Sequence, residues 1–239
     1  MKIVYNRCPM ARKKNGFVEL RSLKDQVYHY LREEFARGAL APGAQIEMIT
    51  LSGKLGISRT PLRDALIRLE GEGFVTISSR RGVFVNSLTL ENVREIYQVL
   101  GGLEGAAVMA SQPFWKPQHT RKMEELNQRM EEALGRDDFE GYHHNNLLFH
   151  GVYLTLAKNP LLLNLVENLK KRLYDFPRPP VWLKDWESAS VKEHSSLVEL
   201  LGEGRFEEGA RHLREVHWGF PYQEANIRRY YGYLWKELH

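Results

Sequence analysis

Between residues 22 and 86 the hydrophobic period changes once, from helix-like to strand-like, and no other feature limits the fold as much. Leu23, Val27, Tyr30, Leu31 and Phe35 recur at the three- and four-residue spacing of a helix face. Ser22, with Asp25 three residues on, resembles a capping box, because hydroxyl and carboxylate can satisfy orphan N–H groups. Gly38 and then Pro42-Gly43 end that segment. A short helix is expected at about Ile49–Leu55, closed by Gly56, and a third at about Arg59–Glu70. Ser58 is a good N-cap for it, Pro61 is tolerated in its first turn, and Leu62, Ala65, Leu66 and Leu69 form its buried face. Then Phe74-Val75-Thr76-Ile77 and Val83-Phe84-Val85 read as strands around Ser78-Ser79-Arg80-Arg81-Gly82. Three helices followed by a basic hairpin is the layout of a winged helix-turn-helix.

The chemistry of that layout suits DNA. In such motifs the N-terminal residues of the second helix of the pair read bases in the major groove. Here they are Ser58, Arg59 and Thr60, with Arg63 one turn on. Arginine's planar fork can bond guanine O6 and N7 together or clamp a phosphate, and a helix N-terminus favours a phosphate electrostatically. Arg80 and Arg81 at the wing tip can reach the backbone or a minor groove, with Gly82 keeping the turn tight.

Charge follows the same division. Residues 1–87 hold 15 Lys and Arg against 8 Asp and Glu, and the remainder holds 19 against 22. A basic first third on a mildly acidic remainder fits one part that meets a polyanion and one that does not. All five Trp and eight of nine His follow residue 88. Two domains are expected: residues 21–87 and residues 88–239, preceded by a flexible basic arm over 1–20 with Arg7, Arg12, Lys13 and Lys14. Met10 offers an alternative start. With 43% hydrophobic residues, wholesale disorder is not expected. The single cysteine, Cys8, rules out an intrachain disulfide, and the N-terminal apolar run is too short for a secretion signal, so a cytoplasmic location is expected.

The segment Gly56-Ile57-Ser58-Arg59-Thr60-Pro61-Leu62-Arg63-Asp64-Ala65-Leu66 carries a family resemblance, and with it residues 23–86 resemble the DNA-binding domain of the GntR family. The resemblance implies that Ser58, Arg59, Thr60 and Arg63 contact DNA, with Arg81 and Gly82 at the wing tip. Ser52-Gly53 departs from the family's usual Leu-Ala, and Gly53 is expected to loosen the short helix.

From Thr89 the apolar spacing is helical nearly to the end, over about 89–111, 117–135, 138–157, 160–174, 187–202, 206–219 and 221–236. Asp175–Trp186, with Pro177, Pro179 and Pro180, is the one long linker. The expected fold is therefore mainly α: a winged helix-turn-helix of three helices and a β-hairpin wing, followed by an all-α helical bundle large enough to enclose a pocket. His150 lies four residues after Asn146 on one helix face, while His194 and His217 sit on later helices. Three imidazoles and an amide oxygen suit a divalent metal of the Zn, Ni or Mn group. His143 and His144 are further imidazoles nearby. The aromatic tail Tyr230-Tyr231-Gly232-Tyr233-Leu234-Trp235 can cover a pocket or pack on a partner.

Asn146-Leu147-Leu148-Phe149-His150, Ala157-Lys158-Asn159-Pro160-Leu161, Glu193-His194 and Glu215-Val216-His217 resemble the motifs of the FCD domain, the helical ligand-binding half of FadR-like GntR regulators. The resemblance implies metal ligands at Asn146, His150, His194 and His217, with Asn146 standing where the family has Asp. It also implies a ligand pocket near Leu100 and Glu104, with Leu100 standing where the family has a pocket-facing arginine, so an altered or less anionic ligand is expected than the family's usual one. Operator DNA bound as a homodimer, and a small-molecule effector of the small-carboxylate class, are the implied partners; a repressor is the expected sense. Two other functions fit parts of the sequence. One is a helical metal-dependent hydrolase, against which stand the lack of any His-Asp pair and of an obvious general base. The other is an effector-independent DNA-binding dimer.

Overall fold

The computed structural model describes residues 22–174 and 183–236, with side chains in the last helix described through residue 232. The arm expected over 1–20 and the linker prolines 177, 179 and 180 lie outside the described residues, as do the side chains of Tyr233, Leu234 and Trp235.

Helix α1 (Leu23–Ala36) begins as its sequence dictates: Ser22 Oγ accepts the Asp25 N–H at 3.3 Å, and the hydroxyl donates to the Asp25 carboxylate. Its buried face is Val27, Tyr28, Leu31 and Phe35; Tyr28 takes the place expected for Tyr30, which is half-buried. Helix α2 (Met48–Leu55) ends at Gly56, whose φ of 64° only glycine adopts without strain. Helix α3 (Arg59–Gly71) buries Leu62, Ala65, Leu66 and Leu69 against α1. Strands β2 (Val75–Ser78) and β3 (Gly82–Val85) pair antiparallel, with Ser78 opposite Gly82. A third strand, β1 (Gln45–Ile46), pairs with β3 and makes the order β1-β3-β2. Two residues carry no readable period, so this strand is invisible in the sequence.

The second half is helical: α4 (Leu90–Ser111), α5 (Pro117–Gly135), α6 (Phe139–Leu156), α7 (Pro160–Tyr174), α8 (Lys184–Gly202), α9 (Phe206–His212) and α10 (Phe220–Lys236). Thr89 caps α4 by a reciprocal pair of bonds with Asn92. Helix α8 starts three residues earlier than the apolar spacing indicates. Between α9 and α10, residues Leu213–His217 form a π-helical turn, in which the Trp218 N–H reaches the Leu213 carbonyl at 2.8 Å. Gly101 and Gly105 of α4 face this turn: an added Cβ at Gly101 would stand 3.2 Å from Arg214 Cα, and one at Gly105 3.2 Å from the Ala210 carbonyl oxygen. The missing side chains let α4 approach the turn closely. No helix among the described residues is long and apolar enough to cross a membrane.

Candidate functional site

Two regions hold the residues singled out in the sequence. The first is the outward end of α3 and the wing. Ser58, Arg59, Thr60 and Arg63 are all exposed. Ser58 occupies the N-cap position, but its side chain makes no capping bond, contrary to expectation; the hydroxyl is left exposed to solvent. Arg68, further along the helix, is a different kind of arginine: it stacks 3.7 Å above the Tyr28 ring and pairs with Glu72 at 3.3 Å and Asp25 at 3.6 Å. That arginine holds α3 to α1. The wing turn is Ser79-Arg80-Arg81, with Arg80 at φ 67° and Gly82 at φ 111°. The Gln45 side-chain amide donates to the Arg81 carbonyl at 3.0 Å, so the unforeseen strand β1 props the tip.

The second region lies in the helical half. His150 from α6, His194 from α8 and His217 from the π turn converge, each offering one ligand atom, all within 4.8 Å of one another. Their ring centroids are 4.9–5.2 Å apart. The wide turn is what brings His217 to this triangle, since it shifts the residues after it relative to a continuous α-helix.

Each ring has a different support. His150 Nδ1 donates to Glu104 Oε2 at 2.8 Å, and that carboxylate also accepts from Trp218 Nε1 at 3.0 Å and from the Tyr153 hydroxyl. Lys170 Nζ lies 2.7 Å from Glu104 Oε1. His217 Nδ1 donates to Glu193 Oε2 at 2.9 Å, and Gln223 donates to Glu193 Oε1 at 2.9 Å. A carboxylate on one ring nitrogen fixes the tautomer and leaves Nε2 as a free acceptor, the arrangement that metal-ligating histidines have. His194 stacks 4.2 Å from the Phe149 ring, and both its nitrogens are buried without a hydrogen-bond partner. Asn146 Oδ1 is likewise buried and unpartnered. Orphaned buried polar atoms are rare in native proteins and point to something that is yet to bind them. The donor set fits a divalent metal of borderline softness.

Protonation is tuned in the same direction. Burial pushes His150 down to about 4, with Lys170 adding to the fall and Glu104 opposing it. Burial also drives His194 well below its ordinary value, helped by the neighbouring imidazoles. Glu104 is held well below the usual carboxylate range: burial opposes ionisation, but Lys170 and His150 outweigh it. These two rings are therefore neutral near pH 7, as metal ligands must be.

A cavity of about 80 Å³ adjoins the triad, with Asn146 and His217 on its wall together with Tyr97, Trp186, Glu187 and Tyr230. Helix α10 closes one side: Gln223 accepts from Trp186 Nε1 at 2.8 Å, and Tyr230 packs on Trp186. The aromatic tail thus supplies Tyr230 and Tyr231 to the wall. The resemblance put the ligand pocket near Leu100 and Glu104. Neither lines this cavity: Leu100 is fully buried in the core, and Glu104 is spent on His150, Trp218, Tyr153 and Lys170. His143 is a wall residue between Phe139 and Tyr174, not part of the triad, and His144 is exposed. The supporting roles of Lys170, Tyr153, Trp218 and Gln223 escaped the sequence, because the carboxylate each one serves lies at least 30 residues away along the chain; Glu193, adjacent to His194, was signposted.

Comparison with known proteins covers both halves of the chain. Residues 23–85 match bacterial regulatory proteins of the gntR family, and residues 95–217 match the FCD domain. The chain is 28% identical over 206 residues to the HTH-type transcriptional regulator McbR of Escherichia coli strain K12, covering 82% of this chain and 89% of that one. It is 31% identical over 134 residues to an uncharacterized HTH-type transcriptional regulator from the TAR-I ttuE-ttuC' intergenic region of Agrobacterium vitis, covering 54% and 78%. The solved structure of E. coli McbR/YncC has the same fold, with a TM-score of 0.62 at 24% identity over 92% of this chain and 100% of that one.

Proposed function

Because this chain belongs to the GntR family of bacterial regulatory proteins, with an FCD domain as its second half, we propose that it binds operator DNA as a homodimer through α3 and the wing and releases or holds it according to a metal-linked effector. A ligand-responsive DNA-binding transcriptional regulator is its general function. In the finer reading, Ser58, Arg59, Thr60 and Arg63 enter the major groove and Arg80, Arg81 and Gly82 flank it, acting in the cytoplasm on a near-palindromic site, with repression as the sense. Residues 21–87 form the DNA-binding unit and 88–239 the sensing and dimerising one.

His150, His194, His217 and Asn146 would hold one Zn, Ni or Mn ion. When bound, that ion supplies a Lewis-acid anchor for an oxygen-bearing effector, of which small carboxylates are the simplest class. Glu104 and Glu193 orient two of the imidazoles, and Asn146 and His217 face the cavity where the effector would lie.

The observation that carries the sensing role is on α7. Its Lys170 holds Glu104, which holds His150; two residues on, Arg172 lies against Gly73 of the DNA-binding half, where an added Cβ would stand 2.8 Å from Nε. One helix therefore touches both regions. His143 and Tyr174 line the effector cavity and also a cleft that includes Arg32 of α1. To switch, the effector must prefer one placement of the DNA-binding half over another.

The test is elemental analysis of purified protein beside His150→Ala, with operator affinity measured by fluorescence anisotropy. About one divalent ion per chain, lost in the variant, supports the site. Arg59→Ala and Arg63→Ala should each weaken specific binding by about 1–3 kcal/mol. Unchanged affinity in both would overturn the assignment of α3, and no metal after incubation with Zn, Ni and Mn would overturn the metal site.

A further inference from the structure

The face of α3 proposed to meet the bases continues past Arg63. Thr60, Arg63, Asp64 and Ile67 stand at helical spacing on one side of the helix, and all four are exposed. The base-contacting residues of the homeodomain's recognition helix repeat at the same spacing. From Thr60 to Ile67 the helix rises about 10 Å, roughly three base-pair steps. Leu23, Ile49 and Ile67 are the exposed large apolar side chains in the described DNA-binding half, and of these Ile67 alone stands on α3, 50% exposed. Its polar neighbours beyond Arg63 hold the helix in place: Arg68 stacks on Tyr28 and pairs with Glu72, and Glu70 Oε1 accepts the Ile77 N–H of β2 at 2.7 Å. Half of the Ile67 surface lies outside the core, and a β-branched residue forms exposed helix less well than Ala, Glu or Lys.

The major groove offers such a side chain one matching group. Its base edges present hydrogen-bond donors and acceptors, which suit Arg59, Thr60 and Arg63, and a single apolar group, the C5-methyl of thymine. We propose that Ile67 is a specificity-determining residue that reads a thymine methyl in each operator half-site, beyond the positions met by Thr60 and Arg63. On binding, the exposed part of Ile67 and the methyl leave water together, and removing one methyl-sized group from water is worth about fourfold in affinity. This inference rests on α3 being the recognition helix and adds to it the base that the apolar end of the stripe selects.

The test starts from duplexes selected out of a random DNA library by the full chain. Each thymine of the selected site is replaced in turn by deoxyuridine, which removes the methyl and leaves every hydrogen-bonding group, and affinity is measured by fluorescence anisotropy at one salt concentration. At least one replacement should weaken the parent by about threefold or more. Ile67→Ala should bind the thymine site more weakly and lose its sensitivity to that methyl, so that the two changes are non-additive; Ile67→Val, which keeps a branched apolar tip, should retain part of it. Ala is the better helix former at an exposed position, and an undiminished melting temperature will show that Ile67→Ala folds as the parent does. A parent indifferent to every thymine methyl would overturn the proposal, as would an Ile67→Ala protein that remains equally sensitive. If Arg59→Ala and Arg63→Ala weaken specific binding while no methyl matters, α3 remains the recognition helix and only the role of Ile67 fails. If none of the three substitutions changes binding, the assignment of α3 falls with it.

Discussion

At the level of single residues, the proposed metal site is tested most directly at Asn146. Its Oδ1 is buried and unpartnered beside three neutral imidazoles. Replacing the neutral oxygen by a charged one without changing its shape should raise affinity for a dication, so Asn146→Asp is expected to bind Zn or Ni at least tenfold more tightly in competition with a chromophoric chelator. Equal affinity would mean that Asn146 is not a ligand. The metal-free protein should also lose stability in mild acid. His150 titrates at about 4 in the fold, below the 6.5 of an unperturbed histidine. Unfolding therefore takes up a proton that the fold refuses. The contribution is complete above about pH 6.5 and declines as pH falls toward 4, by up to ~3 kcal/mol for this group. His194, also lowered, acts in the same direction. Glu104, whose value is lowered from 4.5, adds its loss only below that pH. Urea midpoints of chelator-treated protein should fall between pH 7 and pH 5, and less steeply in His150→Gln. A flat profile in the parent would contradict a buried neutral imidazole.

At the level of elements, helices announce themselves and short strands do not. Leu62, Ala65, Leu66 and Leu69 define α3 by spacing alone, and Ser22 and Thr89 mark helix starts by their capping chemistry. Strand β1 has too few residues for a period, and the π turn at Leu213–His217, which lies close against Gly101 of α4, has no signature in the local spacing. For the same reason the three histidines could be named from sequence, while the pairing of Glu104 with His150 could not: it spans 46 residues. The wing is a direct test of what β1 adds. Gly82 sits at φ 111°, and a Cβ there would stand 2.6 Å from the Gln45 Nε2 that bonds Arg81. Gly82→Ala should thus destabilise the protein by about 1–3 kcal/mol in thermal or urea unfolding and weaken operator binding. Full retention of both would show that the tip does not need that geometry. On α7, Arg172→Ala should leave basal operator affinity near the parent value and shrink the change that metal or effector produces. An undiminished response would mean that the two halves communicate elsewhere.

At the level of the whole molecule, the division of charge predicts how binding depends on salt. Residues 1–87 carry the excess of Lys and Arg, and the helical half carries a slight excess of acid, so counterion release on DNA should come from the first part alone. A dimer presents each arginine twice. If Arg80 and Arg81 contact phosphates, removing either from both protomers takes away two neutralised charges, and the slope of log affinity against log salt should become shallower by about 2. If Arg59 and Arg63 reach base edges, as proposed, they should behave differently: their loss should narrow the gap between operator and random DNA more than it changes the slope. Acidic positions in the helical half offer the control. Glu124→Gln or Glu131→Gln, on the outer face of α5, should leave the slope as it is. Measured across roughly 50–200 mM salt, equal slopes for the parent, Arg80→Ala and Arg81→Ala would mean that the wing does not touch the backbone. A slope change of about 1 rather than about 2 would mean that a single protomer engages each site, and with it the proposed two-fold dimer on a near-palindromic operator would fall.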